Sequence, residues 1–233
     1  MPKAQVAKEK LLNAALSLIR ERGFSGMTVD DVCARAGVTK GAFFHYFKSK
    51  DQLGVAAAEQ WSAVTSALFE RAPYHEPQDP LERVLAYIQF RRELLRGDIP
   101  EFSCVVGTMV QDTYGQYPDI REACAASIFG HAGTLVDDIA QAMTDHGVVR
   151  DWTAESLAAH TQAVLQGAFV LAKAKNDVGV AIESVDHLRR YVELLFTSSA
   201  NGTPAGATNV PPRSSPDGDA ATRPRPKHKG KPR

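Results

Sequence analysis

Apolar residues recur along most of this chain at three- and four-residue intervals, the spacing of one face of an α-helix. Leu12, Ala15, Leu16 and Ile19 form a first stripe, ended by Gly23. Val29, Val32, Cys33 and Ala36 form a second, opened by Thr28 and closed by Gly37. Phe43 and Phe47, four apart, share one side of a third short helix that starts after Thr39. Phe24 is expected to close the small core between them. A long helix follows from about Ser49 to Arg71, broken by Pro73, Pro77 and Pro80. Further helices are predicted over about 81–95, 103–113, 118–143, 153–175 and 183–196. Period-two alternation of any length is missing, as is an internal repeat. The pattern therefore predicts an all-α protein.

The segment from Thr28 to Phe47 carries the chemistry. A sharp reversal between two helices needs a residue that tolerates positive φ, and Gly37 supplies it. Val38 plugs the angle between the helices. Thr28 and Thr39 suit the N-cap position, where a hydroxyl accepts an orphan backbone N–H. With Phe43 and Phe47 facing inward, Thr39, Lys40, Ala42 and His45 or Tyr46 remain on the outer side. Small residues at the start of that helix permit close approach to base edges, and Lys40 can reach a phosphate or a guanine edge. Thr28 and Lys50 sit at helix starts, where backbone N–H groups favour a phosphate. The layout is that of a helix-turn-helix whose second helix enters the major groove of DNA.

Residues from about 6 to 66 resemble the DNA-binding domain of the tetracycline-repressor (TetR) family. The run from Ala36 to Leu53, Ala-Gly-Val-Thr-Lys-Gly-Ala-Phe-Phe-His-Tyr-Phe-Lys-Ser-Lys-Asp-Gln-Leu, carries the resemblance, together with Gly23-Phe24 and Thr28-Val29. It implies an N-terminal three-helix DNA-binding domain over 6–66, with the motif at about 29–48. A helical effector-binding and dimerisation domain is implied over 80–196. It also implies a homodimer that binds double-stranded DNA at a palindromic operator and responds to a small-molecule effector. Thr28, Thr39, Lys40, Gly41, Ala42, His45, Tyr46 and Lys50 are the DNA-facing set it implies. Phe44 departs from the family's frequent tyrosine and lacks the hydroxyl that would meet a phosphate. A repressor and an activator would share these residues, because the sign depends on where the operator lies relative to the promoter.

Charge is distributed as this reading requires. The chain of 233 residues has no net charge, yet residues 1–50 hold nine Lys/Arg against four Asp/Glu. Residues 51–196 hold eleven against twenty-one. A basic head on an acidic body suits one DNA-binding part and one that does something else. Residues 197–233 are rich in Pro, Gly, Ser and basic side chains, with too little apolar surface to fold, and are expected to form a disordered basic tail.

An apolar fraction of 44% is ample for a core, while no run of 18 apolar residues is present, so a membrane partner is not expected. The N-terminal stretch has no apolar signal core, and Cys33, Cys104 and Cys124 fit neither a disulfide framework nor a zinc pattern. A reducing cytoplasm, no metal and no cofactor are the corresponding expectations. No Gly-rich phosphate loop, nucleophile elbow or paired metal ligands point to an enzyme. The aromatic and sulfur residues of the middle helices are the candidates for an effector pocket: Tyr87, Phe90, Phe102, Cys104, Met109, Tyr114, Phe129 and Phe169, with the polar His131 among them. The small residues Ala163, Gly167, Ala168, Ala172 and Ala174 suit close approach of a second subunit.

Overall fold

The chain reverses at Gly37 as its sequence requires. The glycine takes φ 64°, in the left-handed region, and its N–H meets the carbonyls of Ala34 and Cys33. The computed structural model describes residues 3–197, with side chains from Val6 onward. Within them α1 (Lys3–Arg22), α2 (Val29–Ala36) and α3 (Lys40–Tyr46) form the helical head. Both caps foreseen in the sequence are made. Thr28 accepts from the backbone N–H of Asp31 while the Asp31 carboxylate accepts from that of Thr28. Thr39 accepts from Ala42 N–H at 3.2 Å. Each such cap contributes on the order of 1 kcal/mol.

Beyond the head lie α4 (Lys50–Glu70), a 3₁₀ turn (Pro73–His75), α5 (Pro80–Glu93), α6 (Ile99–Phe102) and α7 (Val105–Thr113). They are followed by α8 (Pro118–Gly133), α9 (Val136–Asp145), α10 (Ala154–Lys175) and α11 (Val178–Thr197). The all-α expectation holds, with three differences. The helix predicted over 118–143 is two helices. Thr134 bonds back to the His131 carbonyl through its hydroxyl at 2.8 Å, and the chain bends there after Gly133. That bend lets α9 lie against α5, where Arg83 and Asp138 pair at 2.7 Å. The segment predicted over 103–113 is preceded by the short α6, and the two are separated at Ser103, whose backbone is extended. The last helix starts at Val178 rather than near Glu183, after Asp177 accepts from Gly179 N–H.

Burial divides the core into two clusters. One joins α1, α2, α3 and the first half of α4, and it is completed by Val105, Val106 and Met109 of α7 and by Ile120 and Cys124 of α8. The other joins Phe69 at the end of α4 to α5, α9, α10 and α11. Helix α4 therefore belongs to both, spanning roughly 30 Å at 1.5 Å per residue. Gly54 sits where α4 is tightest. A Cβ built there would lie 2.7 Å from Phe24 and 2.8 Å from Ile120. The glycine thus allows the helix to pass between the head and α8.

Candidate DNA-binding surface and ligand cavity

The position of α3 is fixed by its phenylalanines. Phe43 is fully buried and Phe47 nearly so, their ring centroids 5.7 Å apart. This leaves Thr39, Lys40, Gly41 and His45 exposed, with Ala42 and Tyr46 half-buried beside them. Thr28 is exposed at the start of α2, its hydroxyl donating to Asp31 at 2.7 Å. Lys40 pairs with Asp30 at 2.9 Å, both side chains largely in solvent, so the pair is weak and gives way readily to a phosphate. Phe44 is exposed as well, edge-on to Phe43.

Lys50 departs from the expected set. Its ammonium donates to the Met27 carbonyl at 2.9 Å and lies 4.4 Å from the Phe24 ring centre. Burial lowers its pKa. Lys50 ties the start of α4 to the loop before α2. Lys48, in the preceding turn, is exposed and was missing from the sequence-derived set.

A cavity of about 180 Å³ opens among α4, α5, α6, α7, α8 and α10. Of the expected pocket residues, Phe102, Cys104, His131 and Phe169 line it. Tyr87 is fully buried behind the wall and reaches it through His131. The others lie elsewhere, because the phase of each helix turns them away. Phe90 faces a separate groove beside Leu68 and Ala72. Met109 is buried in the head-side cluster. Tyr114 and Phe129 are 67% and 65% exposed.

The wall residues that escaped the sequence reading include Trp61 and Phe69 of α4, Arg91 of α5, and Gln162 and Gln166 of α10. Arg91 was nevertheless visible as a pattern. It continues the stripe Val84, Ile88, Leu95 at helical spacing, and an arginine in an apolar stripe is a signal in itself.

The polar groups of the wall are connected. Gln162 Nε2 donates to the Tyr87 oxygen at 3.0 Å, and Tyr87 Oη lies 2.9 Å from His131 Nε2. Arg91 approaches the same nitrogen at 3.5 Å. An arginine only donates, so Nε2 is the acceptor and the ring proton belongs on Nδ1. Burial, aided by the Arg91 charge, pushes the His131 pKa down to about 4. The imidazole is therefore neutral near pH 7. The Tyr87 hydroxyl is held well above its ordinary range by burial.

Two polar contacts link the cavity to the head. Arg20 of α1 donates to the Glu101 carbonyl at 2.8 Å and lies 5.7 Å from the ring centre of Trp61. Asp112, near the end of α7, accepts from Ser25 N–H at 2.9 Å. Helix α7 thus starts beside the cavity, at Cys104 and Val106, and ends on the head. Among the described residues no helix is long and apolar enough to cross a membrane, and no cluster of His, Cys, Asp and Glu could hold a metal ion.

Comparison with known proteins agrees with this arrangement over both parts of the chain. Residues 11–57 match the family described as bacterial regulatory proteins, tetR family. Residues 80–181 match the C-terminal domain of the LmrA/YxaF-like transcriptional regulators. The transcriptional regulator AcuR of Cereibacter sphaeroides is 30% identical over 122 residues, 52% of this chain and 56% of AcuR. The repressor NemR of Escherichia coli K12 is 35% identical over 82 residues, 35% of this chain and 41% of NemR. The chain thus spans about half the length of these curated relatives. A TetR-family regulator from Agrobacterium tumefaciens shares the fold, with TM-score 0.72 at 20% identity over 81% of this chain and 98% of that one. The regulatory protein TetR from Rhodobacter sphaeroides does so with TM-score 0.71 at 24% identity, over 80% and 98%. With a head and a body that both match, the chain belongs to the TetR family of bacterial regulators.

Proposed function

We propose that the protein is a dimeric repressor that leaves a palindromic operator when a small molecule enters the cavity. The reading rests above all on α3, whose polar side is exposed because Phe43 and Phe47 hold its other side. Thr28, Thr39, Lys40, Gly41, Ala42, His45 and Tyr46 form the DNA surface in this reading, with Lys50 acting only as a brace. Residues 6–66 serve as the head and 80–196 as the body. A cytoplasmic regulator of this kind needs neither metal nor cofactor.

Pairing of two heads is assigned to α10 and α11. On α10, Ala163, Gly167 and Ala174 are exposed beside Val170 and Leu171, while Ala168 and Ala172 face the chain's own core. On α11, Tyr191 adds a half-exposed ring. Small residues flanked by exposed apolar ones suit close helix packing against a second copy. A dimer then presents two α3 helices to successive major-groove segments.

Release follows from a preference between two arrangements. A ligand that binds the form with misplaced heads weakens DNA binding by that preference and no more. The Arg20 and Asp112 contacts, together with α4, provide the mechanical connection from cavity to head. Selection of bound DNA from a random pool tests this reading. An enriched palindrome with two half-sites is the expected result. Failure to enrich any sequence, or enrichment of a lone half-site by a monomer, would refute it.

A further inference from the structure

The guanidinium of Arg91 is a cation at the wall of the cavity, with no carboxylate paired to it among the described residues. Every ion pair of the neighbouring arginines has a carboxylate: Arg83 with Asp138, Arg92 with Asp186, Arg189 with Glu193. Among the described residues Arg91 has none within 4.0 Å. It lies instead 5.2 Å from the centre of the Phe69 ring and 3.5 Å from a neutral imidazole nitrogen. Glu101 also borders the cavity, but its carboxylate is turned to the start of α6, where it accepts from Asp98 N–H. A half-buried charge in such surroundings is costly unless paired.

A second polar group stands ready nearby. Gln166 borders the cavity and makes no hydrogen bond among the described residues. It packs over Gly107 so closely that a Cβ on that residue would collide with the carboxamide oxygen. Phe69, Phe102 and Phe169 give the wall its aromatic part, beside the polar Thr65, Ser127, His131 and Gln162. Its volume of about 180 Å³ exceeds the roughly 150 Å³ that accommodates benzene in an apolar cavity.

We infer that the cavity takes a small aromatic monocarboxylate, its ring among the three phenylalanines and its carboxylate on Arg91. The guanidinium fork matches a carboxylate in plane, and desolvation strengthens the pair. Gln166 serves the ligand's remaining polar edge. Gly107 acts on specificity by leaving room for that glutamine. The inference rests on the cavity being the effector site, and it adds the charge and size of the occupant.

Calorimetric titration of the full chain tests it with matched probes: benzoate and phenylacetate as anions, benzamide and phenylacetamide as neutral isosteres, benzylamine as the cation. At least one carboxylate is expected to bind about tenfold or more tightly than its amide. Arg91→Gln should erase that preference, Arg91→Lys should keep part of it, and Gly107→Ala should weaken the carboxylates by pushing Gln166 into the space. The comparison on the unaltered chain decides even where a variant folds poorly. Amides that bind as well as the acids, tightest binding of benzylamine, or carboxylate affinities weaker than about 1 mM would each overturn the inference. Neutral probes that bind and release DNA would leave the regulator reading standing while removing the anion. Carboxylates that bind without affecting DNA would do the reverse.

Discussion

Replacing Gly54 with alanine tests its close packing by the sign of the result. In an open helix the change stabilises, by up to about 1 kcal/mol, through better helix propensity and a less flexible unfolded chain. Gly54 is not in an open helix. The new methyl would lie 2.7 Å and 3.2 Å from two atoms of the Phe24 ring and 2.8 Å from the end of Ile120. Phe24 is fully buried, so its ring has nowhere to move, whereas the Ile120 terminus can change rotamer. Overpacking of this kind costs about 1–3 kcal/mol. Set against the propensity gain, a net loss on the order of 1 kcal/mol is expected.

The companion change is Ile120→Val, which removes the nearer aliphatic contact and on its own costs about 0.5–1.5 kcal/mol. In the Gly54→Ala background that cost should shrink towards zero, giving a coupling of roughly 0.5–1 kcal/mol. Urea unfolding at one fixed protomer concentration measures all four corners of the cycle, since association shifts apparent stability. A Gly54→Ala protein more stable than the parent, or additive effects within about 0.3 kcal/mol, would refute close packing at Gly54.

Three further outcomes are expected. Gly37→Ala should cost about 1–2 kcal/mol from backbone strain alone, because the added Cβ meets nothing within 4 Å; Gly37→Asn should cost less, and equal thermal stability of the three proteins would contradict the left-handed turn. Lys40→Ala should weaken operator binding and lower the salt slope by about one, while Asp30→Asn, which frees Lys40, should strengthen binding at low salt; filter-binding titrations at several salt concentrations decide both. His131 has a folded-state pKa of about 4, below its ordinary unfolded value, so the folded protein binds fewer protons between the two and stability falls as pH drops through that window. His131→Gln should flatten that part of a pH series of urea midpoints. The Glu21 carboxyl, held down to about 2 mainly by its hydrogen bonds to Arg35 and Ser17, loses its contribution only in more acid solution and remains in the variant.

The head was legible because its determinants are local. A left-handed turn at Gly37, hydroxyl caps at Thr28 and Thr39, and a four-residue spacing of Phe43 and Phe47 each involve residues within a helical turn of one another. Most helix spans followed from the same periodicity. The break after Gly133 was hidden because its apolar stripe runs on through Leu135 and Ile139 at nearly unbroken phase, and only the fit of α9 against α5 demanded the bend. Periodicity reports which side of a helix is buried, but not what it is buried against. Met109 thus read as a pocket residue and lies in the head-side core.

From the sequence alone came the helices, the turn, the reading head and the uneven charge, all governed by chemistry over a few neighbouring residues. Tertiary packing alone decided that Lys50 turns inward to Met27, that Gly54 is a seam between Phe24 and Ile120, and that Arg91 borders the cavity unpaired with any carboxylate of the described residues. Each of those depends on atoms brought together from distant parts of the chain, where the cost of burying or crowding a group is set by neighbours that no local pattern names.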